Sequence, residues 1–206
     1  MSAKMGRKPR NKAQINAVRE KIINHALKLF QNEGYEAISM RRLAKQVGCA
    51  PMTIYAHFDG KINILQHLWA VVLETVFSQI HNNIKTSKNP TERLNIAAQT
   101  FAQYWIENPD HFRLVFMSAG ITRPDVDSFL KNKTTLSHFK FFSGLVMLAL
   151  ADTHTPNSAE VKAKTDGLIS ALIGIVFCAN TIADYPWTKP EDMVNLMLTT
   201  LLTSKA

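Results

Sequence analysis

The amino-acid sequence predicts an all-α protein in which a long helix joins a small N-terminal domain to a larger helical domain. Apolar residues recur at helical spacing in one segment after another, and no segment alternates as a half-buried strand does. The chain has 206 residues, 46% of them hydrophobic, which is ample for a packed core. Positions 1–61 carry twelve Lys and Arg against four acidic residues, whereas the remaining positions carry twelve of each.

This uneven charge indicates that the first part of the chain binds a polyanion. We expect residues 1–14 to form a disordered basic arm, because the segment from Met1 to Lys12 combines five cationic side chains with Gly6 and Pro9 and almost no apolar residue. Such an arm can reach a DNA backbone or minor groove. A solubilising tail without fixed contacts is the alternative.

Residues 15–61 are predicted to form a compact three-helix domain. Its first helix extends from Ile15 to Glu33, and Gly34 ends it. The apolar stripe that would face the core of this domain consists of Val18, Ile22, Leu27, Leu29 and Phe30.

Two short helices follow, joined by a tight turn. Ser39 is a favoured N-cap residue and Gly48 can close a helix in the left-handed conformation, so the second helix lies between them. Pro51 begins a third helix, whose inner face carries Ile54 and Phe58. This arrangement is typical of a helix-turn-helix, whose second helix can enter a DNA major groove. An ordinary helical hairpin with a solvated polar face is the alternative.

A combination of residues between Arg19 and Leu65 is specific to one family. Its members are Ala26, Leu29, Phe30, Gly34, Tyr35, Ser39, Leu43, Ala44, Gly48, Thr53, Ile54, Tyr55, His57, Phe58 and Lys61. This stretch, about a quarter of the chain, resembles the N-terminal domain of TetR-family transcriptional regulators. Three positions depart from the family's pattern: Ala50 and Gly60 stand where polar caps are usual, and Met52 stands where Gly is common.

The resemblance implies that the protein binds a double-stranded DNA operator. Tyr55, His57 and Lys61 are expected to donate to phosphate oxygens, while Met52 and Thr53 are expected to meet base edges. A long apolar side chain at position 52 would change what the helix reads and is suited to a thymine methyl group. The expected DNA-binding residues are Ser39, Arg41, Arg42, Lys45, Met52, Thr53, Tyr55, His57 and Lys61.

Residues 62–206 are predicted to form a helical domain for effector binding and dimerisation. Breaker residues divide it into predicted helices at 61–85, 91–107, 109–118, 125–150, 158–182 and 190–203. The two most apolar stretches, 141–151 and 168–179, are shorter than the roughly 20 residues that a membrane-spanning helix needs. We therefore expect a soluble cytoplasmic protein without a membrane partner.

The last two predicted helices carry more apolar residues than one core stripe requires. The resemblance implies that such helices form a four-helix interface in a homodimer. The residues expected there are Leu168, Leu172, Ile175, Val176, Ala179, Met197 and Leu201. Coverage of both faces within one chain is the alternative.

The larger domain is rich in aromatic side chains, and the resemblance implies a small-molecule pocket there. A cavity lined by such side chains suits an apolar or amphipathic effector, which would shift the protein to a conformation that releases its operator. The candidate pocket residues are Phe101, Tyr104, Trp105, Phe112, Phe116, His138, Phe142, Phe177 and Asn180. For each aromatic, simple core packing is the alternative.

The sequence offers little support for an enzyme. It contains no phosphate-binding loop, no dinucleotide-binding glycine motif and no Gly-x-Ser-x-Gly or His-Glu-x-x-His motif. The seven histidines are at least ten positions apart, so no local metal-ligand spacing occurs. Cys49 and Cys178 are read as small buried residues, with a thiol sensor at Cys49 as the alternative. We expect no cofactor, and a DNA-binding architectural protein without an effector is the competing function.

Overall fold

The computed structural model describes residues 12–118, 121–131, 133–182 and 184–203, and no strand occurs within those ranges. The predicted all-α fold is confirmed. The α-helices are α1 Lys12–Glu33, α2 Met40–Val47, α3 Pro51–Tyr55, α4 Lys61–Asn83, α5 Pro90–Glu107, α6 Pro109–Phe116, α7 Arg123–Leu130, α8 Lys133–Ala151, α9 Ser158–Thr181 and α10 Pro190–Thr203. Single 3-10 turns lie at Tyr35–Ala37 and Ile84–Thr86.

The chain divides into two compact units within α4. The first unit ends at Leu68 and the second begins at Trp69, whereas we had predicted a domain boundary at Lys61, where α4 begins. The long fourth helix therefore contributes residues to both units.

The first unit has a core built from α1, α2, α3 and the beginning of α4. α1 begins at Lys12, so residues 12–14 are helical and not part of a disordered arm, while residues 1–11 lie outside the described ranges. The buried face of α1 includes Ile23 and Ala26, whereas Leu27, which was predicted to face the core, is only half-buried. The apolar side chains buried by the neighbouring helices are Met40, Leu43, Ala44, Val47, Ile54, Phe58, Ile64, Leu65 and Leu68.

The second unit is organised around α5, which packs against α8, α9 and α10. One predicted helix, residues 125–150, is wrong, because the structure has α7 and α8 in its place. The missed start of α7 is a capping box: the backbone N–H of Thr122 donates to Asp125 Oδ2 at 2.9 Å. The hydrogen bonds that the Thr122 hydroxyl and backbone N–H donate to Asp125 hold the pKa of the Asp125 carboxyl below its usual range.

Among the described residues, no single helix combines the length and apolarity needed to cross a membrane. Arg123–Leu130 and Thr135–Ala151 would meet both requirements only as a pair, and a bend of 74° separates them.

Gly34, between α1 and the first 3-10 turn, has φ 80° and ψ −179°, a backbone conformation that only glycine adopts readily. We predict that Gly34→Ala lowers the free energy of unfolding by about 1–3 kcal/mol, because the added Cβ strains this backbone. Urea denaturation followed by circular dichroism measures the change. Gly60→Ala is the matched control, since Gly60 lacks a positive φ and its added Cβ would meet nothing within 4 Å. Equal stability losses in the two variants would contradict the prediction.

Candidate functional site

The turn between α2 and α3 is fixed by backbone hydrogen bonds. Gly48 adopts the left-handed conformation, and the N–H groups of Gly48 and Cys49 both donate to the Ala44 carbonyl, at 3.0 and 2.9 Å. Lys21 Nζ donates to the neighbouring Val47 carbonyl at 3.0 Å. Two of the last four carbonyls of α2, those of Ala44 and Val47, are thereby satisfied, and the direction in which α3 leaves the turn is set.

α2 begins as the sequence predicts, whereas α3 lacks a cap side chain. Ser39 Oγ accepts a hydrogen bond from the Arg42 backbone N–H at 3.2 Å. Ala50 provides no comparable bond for α3, although Pro51 still occupies its first turn. The third helix therefore depends on packing, chiefly on the fully buried Ile54 and on Phe58 just beyond its end.

The outer face of α3 carries the side chains expected to read DNA. Met52 is 74% exposed and Tyr55 is 50% exposed, while Thr53 is half-buried. α3 ends at Tyr55, so the prediction that this helix extends to Phe58 is wrong, and His57 lies in the turn that follows α3, half-buried. Met52 and Tyr55 thus present apolar surface to solvent on this short helix.

The cationic residues of this unit differ in their surroundings. Arg41 and Lys45 are exposed on α2 and form no ion pair with another described residue. Arg42 instead pairs with Glu33 at the end of α1. Lys61 Nζ lies 3.5 Å from Glu36 Oε2 and 3.7 Å from the centre of the Tyr35 ring. Both pairs are partly exposed, so a phosphate group can compete for these cations at small cost.

Arg19 of α1 joins three parts of the first unit. One guanidinium nitrogen donates to the His57 carbonyl at 2.7 Å, and the other lies 2.7 Å from His67 Nε2 on α4. The guanidinium carbon lies 4.6 Å from the centre of the Phe58 ring. Sequence reasoning missed this role, because a backbone carbonyl 38 positions away leaves no mark in a residue pattern.

Burial and the nearby Arg19 charge both lower the pKa of His67. A neutral imidazole can accept the arginine hydrogen bond at Nε2, whereas a protonated ring has no free acceptor. Arg19 and a neutral His67 are therefore compatible, and together they brace the segment that follows α3.

The second unit contains an apolar cavity of about 190 Å³. Its lining comes from α4 to α9 and comprises Trp69, Leu73, Phe77, Phe101, Val115, Phe116, Val126, Phe129, Leu130, Thr135, His138, Phe142, Ile169, Leu172 and Ile173. His138 stacks on Phe77 with ring centres 4.1 Å apart. Burial lowers the pKa of His138, an effect that Glu74 opposes and His81 reinforces.

Four of the nine predicted pocket residues line this cavity: Phe101, Phe116, His138 and Phe142. The other five predicted residues do not line the cavity. Trp105 and Phe112 are fully buried core residues, and Phe177 is 43% exposed on α9. Asn180 donates to the Val176 and Trp105 carbonyls at 3.0 and 3.3 Å.

Tyr104, the remaining predicted pocket residue, lines a separate open groove of polar side chains between α4, α5 and α10. Its hydroxyl lies 2.8 Å from His111 Nδ1. Burial raises the pKa of Tyr104 to about 12 and lowers the pKa of His111. Both groups are thus uncharged near neutral pH, and they share a partly buried hydrogen bond of the fold.

The predicted dimer residues fall into two groups that differ in burial. Leu168, Leu172 and Val176 are buried within the chain, so the prediction that they face a second subunit is wrong. Leu172 faces the cavity instead. The other four predicted dimer residues are half-buried: Ile175, Ala179, Met197 and Leu201. The periodicity was correct, but it did not distinguish the inner face of each helix from its outer face.

Comparison with known proteins identifies the family. Residues 22–68 match the family model described as bacterial regulatory proteins, tetR family. The HTH-type transcriptional regulator SAB2452 of Staphylococcus aureus is 31% identical over 159 residues, which cover 77% of this chain and 80% of that protein. The nucleoid occlusion factor SlmA of Aliivibrio fischeri is 28% identical over 87 residues, which cover 42% of this chain and 44% of that protein.

The fold extends the likeness to most of the chain. The regulator FadR of Bacillus subtilis, solved in complex with stearoyl-CoA, superposes with a TM-score of 0.67 at 17% identity, covering 89% of this chain and 97% of that one. By contrast, the chain spans only about half the length of several curated relatives that it matches. The match over four fifths of SAB2452 and the family model on α1 to α4 lead to one conclusion: the chain belongs to the TetR family of bacterial regulatory proteins.

Proposed function

We propose that the protein is a dimeric transcriptional repressor that binds an operator through α2 and α3 and leaves it when a small apolar or amphipathic effector binds. The single observation that carries the DNA-binding part is the exposed face of α3, with Met52 and Tyr55 on a helix that is anchored from behind by Ile54. The exposed cations Arg41 and Lys45 lie on the adjoining α2. Such a regulator acts in the cytoplasm.

Each part of this face suits a different element of DNA. Met52 and Thr53, in the first turn of α3, suit base edges in the major groove. Tyr55, Arg41 and Lys45 suit phosphate oxygens, which fix the position of the helix without reading sequence. Arg42 and Lys61 would exchange carboxylate partners for phosphates.

A two-fold dimer would place two reading helices about 34 Å apart, one turn of DNA. Support for such a dimer comes from apolar side chains that the chain does not cover. Phe177 on α9 is 43% exposed and Leu196 on α10 is 70% exposed. We propose that these two residues and the half-buried residues beside them, Ile175, Ala179, Met197 and Leu201, meet their counterparts in a second subunit.

Effector binding would act through α4. This helix begins at Lys61, shortly after α3, and its middle part supplies Trp69, Leu73 and Phe77 to the cavity wall. An effector that prefers one arrangement of this wall would shift the population of α4 positions and with it the separation of the two reading helices. A few kcal/mol of differential affinity is about what such a shift requires.

An architectural DNA-binding protein without an effector is the second candidate. The likeness to SlmA, named a nucleoid occlusion factor, favours it. The apolar cavity favours the effector-controlled repressor, since a protein that only organises DNA has no use for one.

Selection of bound duplexes from a random DNA pool tests the proposed function. We predict one recovered sequence made of two inverted half-sites whose centres lie about one helical turn apart, because each subunit contributes one reading helix. Recovery of unrelated sequences in proportion to their abundance would contradict operator recognition and favour the architectural candidate. Single half-sites without fixed spacing would contradict the dimer.

Two substitutions separate base reading from phosphate contact. We predict that Met52→Gly relaxes the preference at one base pair of the selected sequence, because the side chain that touches the base is lost. Lys61→Ala should weaken binding to all sequences alike and reduce the slope of log affinity against log salt by about 1. Fluorescence anisotropy with the selected duplex and its single-base variants measures both effects. An unchanged base preference in Met52→Gly would refute the reading role.

Substitution of Arg19 tests the contacts that it makes with the His57 carbonyl and with His67. We predict that Arg19→Met raises the pKa of His67, because the nearby positive charge is gone, and weakens DNA binding, because the His57 carbonyl loses its donor. The free energy of unfolding should fall by about 1.5–3 kcal/mol, as for a hydrogen bond from a charged donor. NMR pH titration of His67 and anisotropy measure the two main effects.

Lys21→Met is the matched control, since it removes one positive charge from the same helix and a hydrogen bond to a different carbonyl. It should leave the pKa of His67 unchanged. A titration curve of His67 that is identical in wild type and Arg19→Met would contradict the proposed contact.

A further inference from the structure

The cavity in the second unit has walls built of aromatic rings in edge-to-face contact. Phe142 meets Phe77 and Phe101 with ring centres 5.9 Å apart at steep angles. Trp69 meets Phe129 in the same way at 5.2 Å. Another aromatic ring can extend this arrangement, because ring edges and faces attract one another.

The volume limits the size of the occupant. A cavity of about 150 Å³ with an apolar lining accommodates benzene. The present cavity, at about 190 Å³, is larger by little more than one small substituent. A single substituted ring therefore fits the space as it stands, whereas a long acyl chain would require it to enlarge.

Polar groups are few in this lining and lie close together in sequence. Trp69 Nε1 already donates to the Leu114 carbonyl at 2.8 Å. Among the described lining residues, the other polar side chains are Thr135 and His138, which both lie on α8 and are both buried. Three positions apart on one helix, they face the same side and can hold one polar group of a ligand.

The charges around the cavity disfavour an ionic ligand. No described lining residue is Lys, Arg, Asp or Glu, so an anion would be buried without a counter-charge. Glu74 Oε2, 3.9 Å from His138 Nε2, would also repel an anion at the polar end. Attraction of a cation to Glu74, whose side chain is 64% exposed, and to the aromatic faces offsets only part of the cost of taking the cation out of water.

We propose that the effector is an uncharged molecule of about one substituted aromatic ring, whose single polar group hydrogen-bonds with Thr135 and His138. This inference rests on the proposed effector-controlled function and specifies the chemical class of the effector. Because His138 stacks on Phe77 of α4, a ligand that contacts His138 also affects the position of α4, the helix that begins shortly after α3.

Four ligands of similar size test this class on the full-length protein: benzyl alcohol, toluene, benzoate and benzylammonium. Isothermal titration calorimetry at pH 7 measures their affinities. We expect benzyl alcohol to bind most tightly and toluene about three- to tenfold more weakly, because toluene lacks one hydrogen bond. Both ions should bind at least about tenfold more weakly than benzyl alcohol. Tighter binding of either ion, or no binding of any of the four, would overturn the inference.

Thr135→Val and His138→Phe test the two polar residues. Each variant should reduce the affinity ratio of benzyl alcohol to toluene toward one while leaving toluene binding nearly unchanged. His138→Phe keeps a ring against Phe77, and Thr135→Val keeps the shape of the side chain. Melting temperatures without ligand identify a variant that fails to fold. The affinity ratio of the other variant then tests the polar contact.

The matched control is Thr165→Val on α9. Thr165 is also a buried helical threonine, its hydroxyl donates to the Val161 carbonyl at 2.7 Å, and it does not belong to the described lining of the cavity. It should leave the affinity ratio unchanged. A ratio that falls equally in Thr165→Val and Thr135→Val would overturn the assignment of Thr135.

The outcomes for this inference and for the proposed function are separable. Operator affinity is measured in parallel by anisotropy with and without benzyl alcohol. Binding of benzyl alcohol without any change in operator affinity supports the ligand class and contradicts effector control. Specific operator binding by a protein that binds none of the four ligands overturns the ligand class and leaves DNA recognition standing.

Discussion

The left-handed turn at Gly48 is the constraint on which the reading surface depends. Two backbone N–H groups converge on the Ala44 carbonyl there, and Lys21 donates to the Val47 carbonyl at the end of α2. Because the chain can leave α2 in only one direction, Ile54 is directed into the core and Met52 toward solvent. A helix of one and a half turns has little stability of its own, so its orientation comes from these neighbours and from the Arg19 contact behind it.

In the second unit, the proposed ligand site is a part of the core that side chains leave unfilled. Large aromatic side chains from several helices meet edge to face and leave about 190 Å³ between them. A void of this size costs stability, because its lining loses contacts that a filled core would make. A ligand that fills the void recovers those contacts, and it does so against residues of α4. Stability and regulation are thus linked through the same helix.

What the sequence predicted well is what depends on near neighbours. Ser39, Gly48 and Pro51 define helix ends through hydrogen bonds and dihedral angles within a few positions, and the structure has those ends. The cavity depends on which faces of six helices converge, which periodicity does not specify. Phe116 was predicted because it is aromatic and His138 because it is polar, whereas Leu73 and Ile173 look like any core residue. Leu172 was assigned to the wrong surface for the same reason.

The central claim is that the exposed face of α3 recognises a defined operator, and equilibrium binding at several salt concentrations tests it most directly. The measurement compares the affinity of the purified protein for promoter-bearing DNA beside its own gene with that for a scrambled duplex of equal length. We expect a steep salt dependence together with a preference of about a thousandfold or more for the operator. Salt-dependent binding with equal affinity for both duplexes would contradict it.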